Sequence, residues 1–217
     1  MHASSMMRMG WFEKNYLQKI NGSLTVIDFG SQCVKNHDTY KTFFNDIIKY
    51  RYIGVDMVEG NNVDLVLSKP YNWIEIPDNF CDVLICGQVF EHIEFPWITI
   101  MEITRVVKPD GLICIIVPSA CPLHRYPVNC QNYFVDGMIA LCKWASITPL
   151  HCSTNLAPKG VHEYEKWYDS TIQDTFLIGK NSKYSKPKLN LFDYKCEPAD
   201  LNVLSTGFVT LSEQEEL

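Results

Sequence analysis

The sequence predicts an α/β fold, a doubly wound, Rossmann-like and mostly parallel sheet with helices on both faces. Two observations predict it. Short runs rich in β-branched residues are apolar on both faces, as strands covered from both sides must be, and they alternate with longer stretches of helical character. The strand-like runs are Leu24–Phe29 (LTVIDF), Tyr52–Asp56 (YIGVD), Val63–Leu67 (VDLVL), Asp82–Cys86 (DVLIC) and Leu112–Val117 (LICIIV). Two further runs, Ile147–Cys152 and Thr175–Ile178, extend the sheet.

The helical stretches are Trp11–Ile20, Tyr40–Tyr50, Pro96–Val107 and Asn132–Trp144. The third has the clearest signals. Pro96 suits a first helical turn, Trp97, Ile100, Met101 and Val107 share a broad face, and Lys108-Pro109-Asp110-Gly111 stops the run. Glu94 at one end and Lys108 at the other also suit the helix dipole.

With 217 residues and 47% hydrophobic content, the chain has the size and core material of one domain. That domain is expected over residues 1–179, opening with a helical segment over 1–22. From Gly179 onward the composition turns polar, so residues 180–217 are expected to form a partly mobile extension. The net charge of −6 includes no run of Lys and Arg that could follow a phosphate backbone, which argues against nucleic acid as a partner. The nine cysteines are scattered without a C-x-x-C pair, a pattern expected of reduced thiols in an intracellular protein. No leader-like segment and no uncharged apolar stretch of about 18 residues is present, so a soluble, cytoplasmic chain without membrane insertion is expected.

In an open α/β sheet, ligands bind beyond the carboxyl ends of the strands, where the strand order reverses. Three predicted strand ends carry suitable residues: Asp28-Phe29-Gly30-Ser31-Gln32, Asp56-Met57, and Gly87-Gln88-Val89-Phe90-Glu91-His92. Gly30 allows a tight turn and a close backbone approach. The stretch after it, S-Q-C-V-K, lacks the further glycines that a dinucleotide pyrophosphate requires, so a ligand without phosphate suits it better. Asp56, at the tip of the second strand, can accept both hydroxyl protons of a ribose; a helix cap or a solvated turn is the bland alternative.

The run Asp82–Ser119 (DVLICGQVFEHIEFPWITIMEITRVVKPDGLICIIVPS) closely resembles class I S-adenosylmethionine-dependent methyltransferases of the "type 11" kind. The resemblance extends from about Thr25 to Ser119. It implies a seven-stranded sheet whose last strand is antiparallel, with S-adenosylmethionine as cofactor and S-adenosylhomocysteine as product. By position it implies that Asp28, Gly30, Ser31 and Gln32 form the first motif, near the methionine part of the cofactor. Asp56 becomes the ribose acid, with Met57 beside it, and Gly87 and Gln88 line the methyl-donor region. Glu91 is expected to sense the cofactor's positive charge, and His92 to serve local hydrogen bonding. The first motif lacks its second and third glycines, and Lys69 stands where the family has an acid beside the adenine, which leaves Ser68 as the candidate there.

His124-Arg125-Tyr126-Pro127-Val128-Asn129-Cys130 resembles an H-R-Y-P-V-D segment of a subset of these enzymes that accompany glycan and cell-surface biosynthesis. It points to a sugar or another small hydroxylated acceptor, with residues 120–146 as the acceptor-side loop and helix. His124 is the candidate general base, because an imidazole titrates near neutral pH; pinning the loop is its structural alternative. His151, Cys152, His162 and His37 fit none of the usual zinc spacings, so no metal is expected. Tyr133, Phe134, Trp144, Trp167 and Tyr168 could wall an acceptor pocket or serve as core packing. Two other functions compete: a nicotinamide-dependent oxidoreductase, for which a Tyr-x-x-x-Lys or comparable signature is missing, and a non-catalytic relative serving as a binding module. The oligomeric state is not assigned.

Overall fold

The computed structural model describes residues 3–33, 38–125, 127–154 and 173–182. Seven strands form one sheet: β1 (Leu24–Phe29), β2 (Tyr50–Asp56), β3 (Leu65–Val66), β4 (Cys81–Gly87), β5 (Val107–Ala120), β6 (Ile147–Thr154) and β7 (Gln173–Asn181). Their order is β3-β2-β1-β4-β5-β7-β6. The first five strands pair in parallel, whereas β7 runs antiparallel to both β5 and β6. The sheet is therefore doubly wound and Rossmann-like, with one reversed strand, as expected. Strand order reverses between β1 and β4, which opens a crevice at their carboxyl ends.

Successive residues of β1 serve opposite cores. Ile27 and Phe29 pack with Leu84, Cys86, Ile113 and Ile115 under α2 (Pro96–Val106) and α3 (Val135–Ala145). Val26 packs on the other face with Val83, Ile85, Cys114 and Ile116, under Met9 and Phe12 of α1 (Ala3–Phe12). The central strands β1, β4 and β5 bury both of their faces, which is why these runs read as continuously apolar.

Several predicted boundaries shift. The first helix spans Ala3–Phe12 and passes into a π-helical turn over Glu13–Leu17, rather than covering Trp11–Ile20. Its inward face mixes Ser4, Ser5 and Arg8 with Met9 and Phe12, so hydrophobic periodicity marks only its second half. The expected helix over Tyr40–Tyr50 is only a 3-10 turn, Tyr40–Phe44. The Asp46 carboxylate then accepts the amides of Ile48 and Lys49, turning the chain into β2, while Ile47 and Ile48 face outward at 88% and 84% exposure. The third strand shrinks to two residues, and β7 spans nine. Lys108–Gly111 belongs to β5 as an irregularity, with Asp110 at φ 61°, instead of forming a separate stop.

The Arg-Val-x-Lys-Pro stretch that carries the resemblance is structural. Arg105 donates to Glu102, Asp78 and the carbonyls of Trp73 and Ile76, so it fastens the loop beneath Trp73. Lys108 pairs with Asp82 at 2.7 Å. No described helix is long and apolar enough to cross a membrane, and the eight described cysteines are all free thiols. Tyr126, His37, His162, Trp167, Tyr168, Cys196 and the extension over 183–217 lie outside the described residues.

Candidate functional site

At the crevice, Gly30 turns the chain with φ 79°, a conformation that costs other residues about 1–2 kcal/mol. Its amide and that of Ser31 donate to the Val55 carbonyl, and the Ser31 hydroxyl donates to the Asn62 carbonyl at 2.8 Å. The Gln32 amide then donates to Asp56 at 3.0 Å, while the Met57 amide takes the other oxygen at 2.7 Å. The loop after β1 is thus tied to the carboxylate at the tip of β2. The Gln32 side chain donates to the Glu59 carbonyl. Ser68 lies beyond β3 and donates its amide to Glu75 at 3.0 Å.

Asp28 is fully buried beneath this loop. Tyr52 donates to it at 2.5 Å, and Asn62 in turn donates to the Tyr52 hydroxyl at 2.9 Å. Burial pushes the Asp28 carboxyl up to about 7 against the stabilising effect of that hydrogen bond, and the charge of Asp56 raises it further. A carboxyl of this kind is poised to ionise when a cation approaches.

Two glycines here make room for the protein itself. A Cβ on Gly30 would lie 2.1 Å from Val89, and one on Gly87 would lie 1.9 Å from the Tyr40 hydroxyl. Tyr40 is buried and shares a hydrogen bond with Ser5 at 2.5 Å. Gln88, held at φ 60°, donates to Asp174 at 2.9 Å. Asp174 also accepts from Ser4 at 2.7 Å and pairs with Arg8 at 3.4 Å. Tyr40, Tyr52, Asn62, Ser4, Arg8 and Asp174 were not singled out in the sequence. The spacing of Ser4, Ser5 and Arg8 on one helical face was the available signal.

Glu91 lies just beyond β4, on the same strand-end side as Gly87 and Gln88. It sits in the 3-10 turn Phe90–His92 after β4, where its side chain is buried and neither carboxylate oxygen accepts a hydrogen bond of normal geometry. Its carboxyl is pushed up to about 8, by burial first and then by the charge of Asp174. His92 Nδ1 donates to the Val128 carbonyl at 2.5 Å, and the His124 ring meets the His92 ring edge-on with centroids 5.0 Å apart. The structure therefore joins Glu91, His92 and His124, and keeps the local hydrogen bond expected of His92. Tyr133 lies in the same quarter and packs on Phe90. Phe134 is 64% exposed, and Trp144 donates to the Trp97 carbonyl on the outer face of α2 and α3.

His151 hydrogen-bonds Ser153 at 2.9 Å and is enclosed by Trp11 and Phe176. Burial, with Arg8 adding, pushes its imidazole down to about 3. It is a core residue.

The sheet order, the reversed β7 and the joined strand tips are those of one large family of folds. A family profile described as "Methyltransferase domain" matches residues 15–115, the span from the π-helical turn to the middle of β5. The matched span is somewhat less than half of the chain, which over these residues is similar to methyltransferase domains. Among solved structures, a 1,6-didemethyltoxoflavin-N1-methyltransferase from Burkholderia thailandensis, with S-adenosylhomocysteine bound, superposes with a TM-score of 0.60 at 14% identity, covering 81% of this chain and 77% of that one. A SAM-dependent methyltransferase from Archaeoglobus fulgidus gives 0.53 at 16% identity, over 81% and 94%. The cyclase SpnF gives 0.57 at 14%, over 81% and 80%. No curated protein matches the chain by sequence.

Proposed function

We propose that this chain is a methyltransferase that uses S-adenosylmethionine to O-methylate a sugar or another small hydroxylated acceptor, releasing S-adenosylhomocysteine. The observation that carries the reading is the Gln32 amide bound to Asp56, which joins the loop after β1 to the acid at the tip of β2. These are the two elements a nucleoside ligand needs on either side of its ribose. Two Asp56 contacts come from backbone amides, and a carboxylate with about four acceptor sites retains capacity for ribose hydroxyls.

Asp28, Gly30, Ser31 and Gln32 form the wall beside the cofactor's amino-acid part, with Gly87 and Gln88 opposite. Met57, 37% exposed next to Asp56, offers an apolar side chain to the adenine, and Ser68 lies farther along the same edge. Asp28 suits a ligand that carries positive charge, because its ionised form lacks a cationic partner among the hydrogen bonds it makes. The cofactor, when bound, supplies an electrophilic methyl on a sulfonium. The chain's own task is to align an acceptor with it and to remove the acceptor's proton. His124, on the loop beyond β5, is our candidate for taking that proton.

One observation favours a second reading, a binding module without turnover. Gln88, Gly30 and Gly87 are all engaged by the protein's own side chains, through Asp174, Val89 and Tyr40. Methyl-labelled S-adenosylmethionine incubated with pools of hydroxylated metabolites separates the two. Labelled product from the wild type, with turnover reduced at least tenfold in His124→Ala at unchanged cofactor affinity, supports the enzyme. Cofactor binding without any labelled product supports the module, and equal turnover in His124→Ala removes His124 from the chemistry.

A further inference from the structure

We propose that Glu91, His92 and His124 form a binding site for a divalent metal ion of the zinc class. One ligand atom from each residue lies within 4.8 Å of the others. The three come from two elements, the 3-10 turn after β4 and the loop after β5, so the site joins the strand end to the acceptor-side loop.

The hydrogen bonds fix the imidazoles as ligands. A backbone carbonyl only accepts, so His92 Nδ1 carries the proton in its bond to the Val128 carbonyl. In the neutral tautomer that this bond selects, the lone pair lies on Nε2. That Nε2 lies 3.6 Å from Glu91 Oε1. His124 Nδ1 lies 3.0 Å from the Pro122 carbonyl and 3.9 Å from Cys121 Sγ. A histidine whose other nitrogen donates to a backbone carbonyl is the usual second-shell pattern of a metal ligand.

Glu91 supplies the independent observation. It is 0% exposed and neither oxygen has a hydrogen-bond partner among the described residues. A carboxyl buried in this way stays protonated on its own, and a cation between it and the His92 lone pair displaces that proton and satisfies both groups. Ligands about 2.1 Å from a tetrahedral zinc stand about 3.4 Å apart, close to the observed 3.6 Å. His124, on irregular backbone, has to approach by about 1 Å to complete the triad.

Two imidazoles and one carboxylate suit zinc or another late transition ion, whereas magnesium and calcium prefer all-oxygen sets. Three protein ligands leave a further coordination position, and a hydroxyl bound there loses its proton more readily. In this assignment Glu91 and His124 both belong to the metal, so Glu91 does not face the cofactor and His124, with both ring nitrogens engaged, is not the base. The binding claim does not depend on the methyltransferase reading, since it concerns the metal alone.

The full-length chain, stripped with chelator and dialysed, is titrated with zinc chloride by calorimetry without S-adenosylmethionine, and bound metal is counted by mass spectrometry. One equivalent at micromolar or tighter affinity is expected, with magnesium giving no binding. Glu91→Gln and His124→Ala should each weaken zinc binding at least tenfold while leaving the circular dichroism spectrum unchanged. Should Glu91→Gln fail to fold, His124→Ala on the loop decides the matter alone. No zinc bound by the wild type, or undiminished affinity in the folded variants, overturns the proposal and leaves the cofactor reading untouched.

Discussion

Asp174 and Glu91 are both acids buried at the carboxyl-end rim of the sheet, yet their surroundings are opposite. Asp174 is met by Ser4, Gln88 and Arg8, which draw α1, the loop after β4 and the start of β7 together. Glu91 has no hydrogen-bond donor on either oxygen and faces two imidazoles. A satisfied buried acid holds the fold together, whereas one without donors is kept in its protonated form by burial and is open to a ligand. The rim thus divides into a structural knot under α1 and a chemical cluster under the loop after β5.

Breaking the knot should produce the largest effect. Asp174→Ala leaves the Arg8 guanidinium buried without its carboxylate, and the loss is expected at about 3–5 kcal/mol in urea unfolding. A loss under 1 kcal/mol would show that the knot contributes no more than a surface pair.

Asp28 extends the comparison, as an acid with a single strong side-chain donor. Its folded carboxyl titrates near 7 against an ordinary value near 3.8, so between those values the folded protein holds the extra proton. The Asp28 contribution to stability should therefore fall as pH rises from about 4 to about 7, by on the order of 2–4 kcal/mol in all. Asp28→Asn keeps a partner for Tyr52 and should flatten that slope in denaturant melts taken across the range. An unchanged slope would place the titration elsewhere.

The smallest effect is expected at Glu91. Glu91→Gln removes no hydrogen bond, so its stability should stay within about 1 kcal/mol of wild type at neutral pH. A loss as large as that of Asp174→Ala would mean that both acids are structural, and the contrast would collapse.

These differences also explain what could be read in advance. The strands were legible because burial on both faces writes a continuous apolar run, as in Leu24–Phe29 and Leu112–Val117. The helix α1 was misplaced because the first half of its buried face is Ser4, Ser5 and Arg8, side chains that count as polar until Asp174 and Tyr40 are brought to them from 35 to 170 positions away. The strand tips Asp28 and Asp56 were legible because their place follows from the strands. The link between Glu91 and His124 was not, since it depends on how the loop after β5 folds back over the turn after β4. Residues 40–50 show the same limit: the apolar spacing of a helix is present, but Asp46 captures the amides that would have continued it.

The most direct test of the central claim, that the crevice between β1 and β4 holds a nucleoside sulfonium, is calorimetric titration of S-adenosylmethionine into the wild type and Asp56→Ala. The account predicts one site of micromolar affinity, at least tenfold weaker in the variant. Absence of binding, or equal affinity in the two proteins, would contradict it.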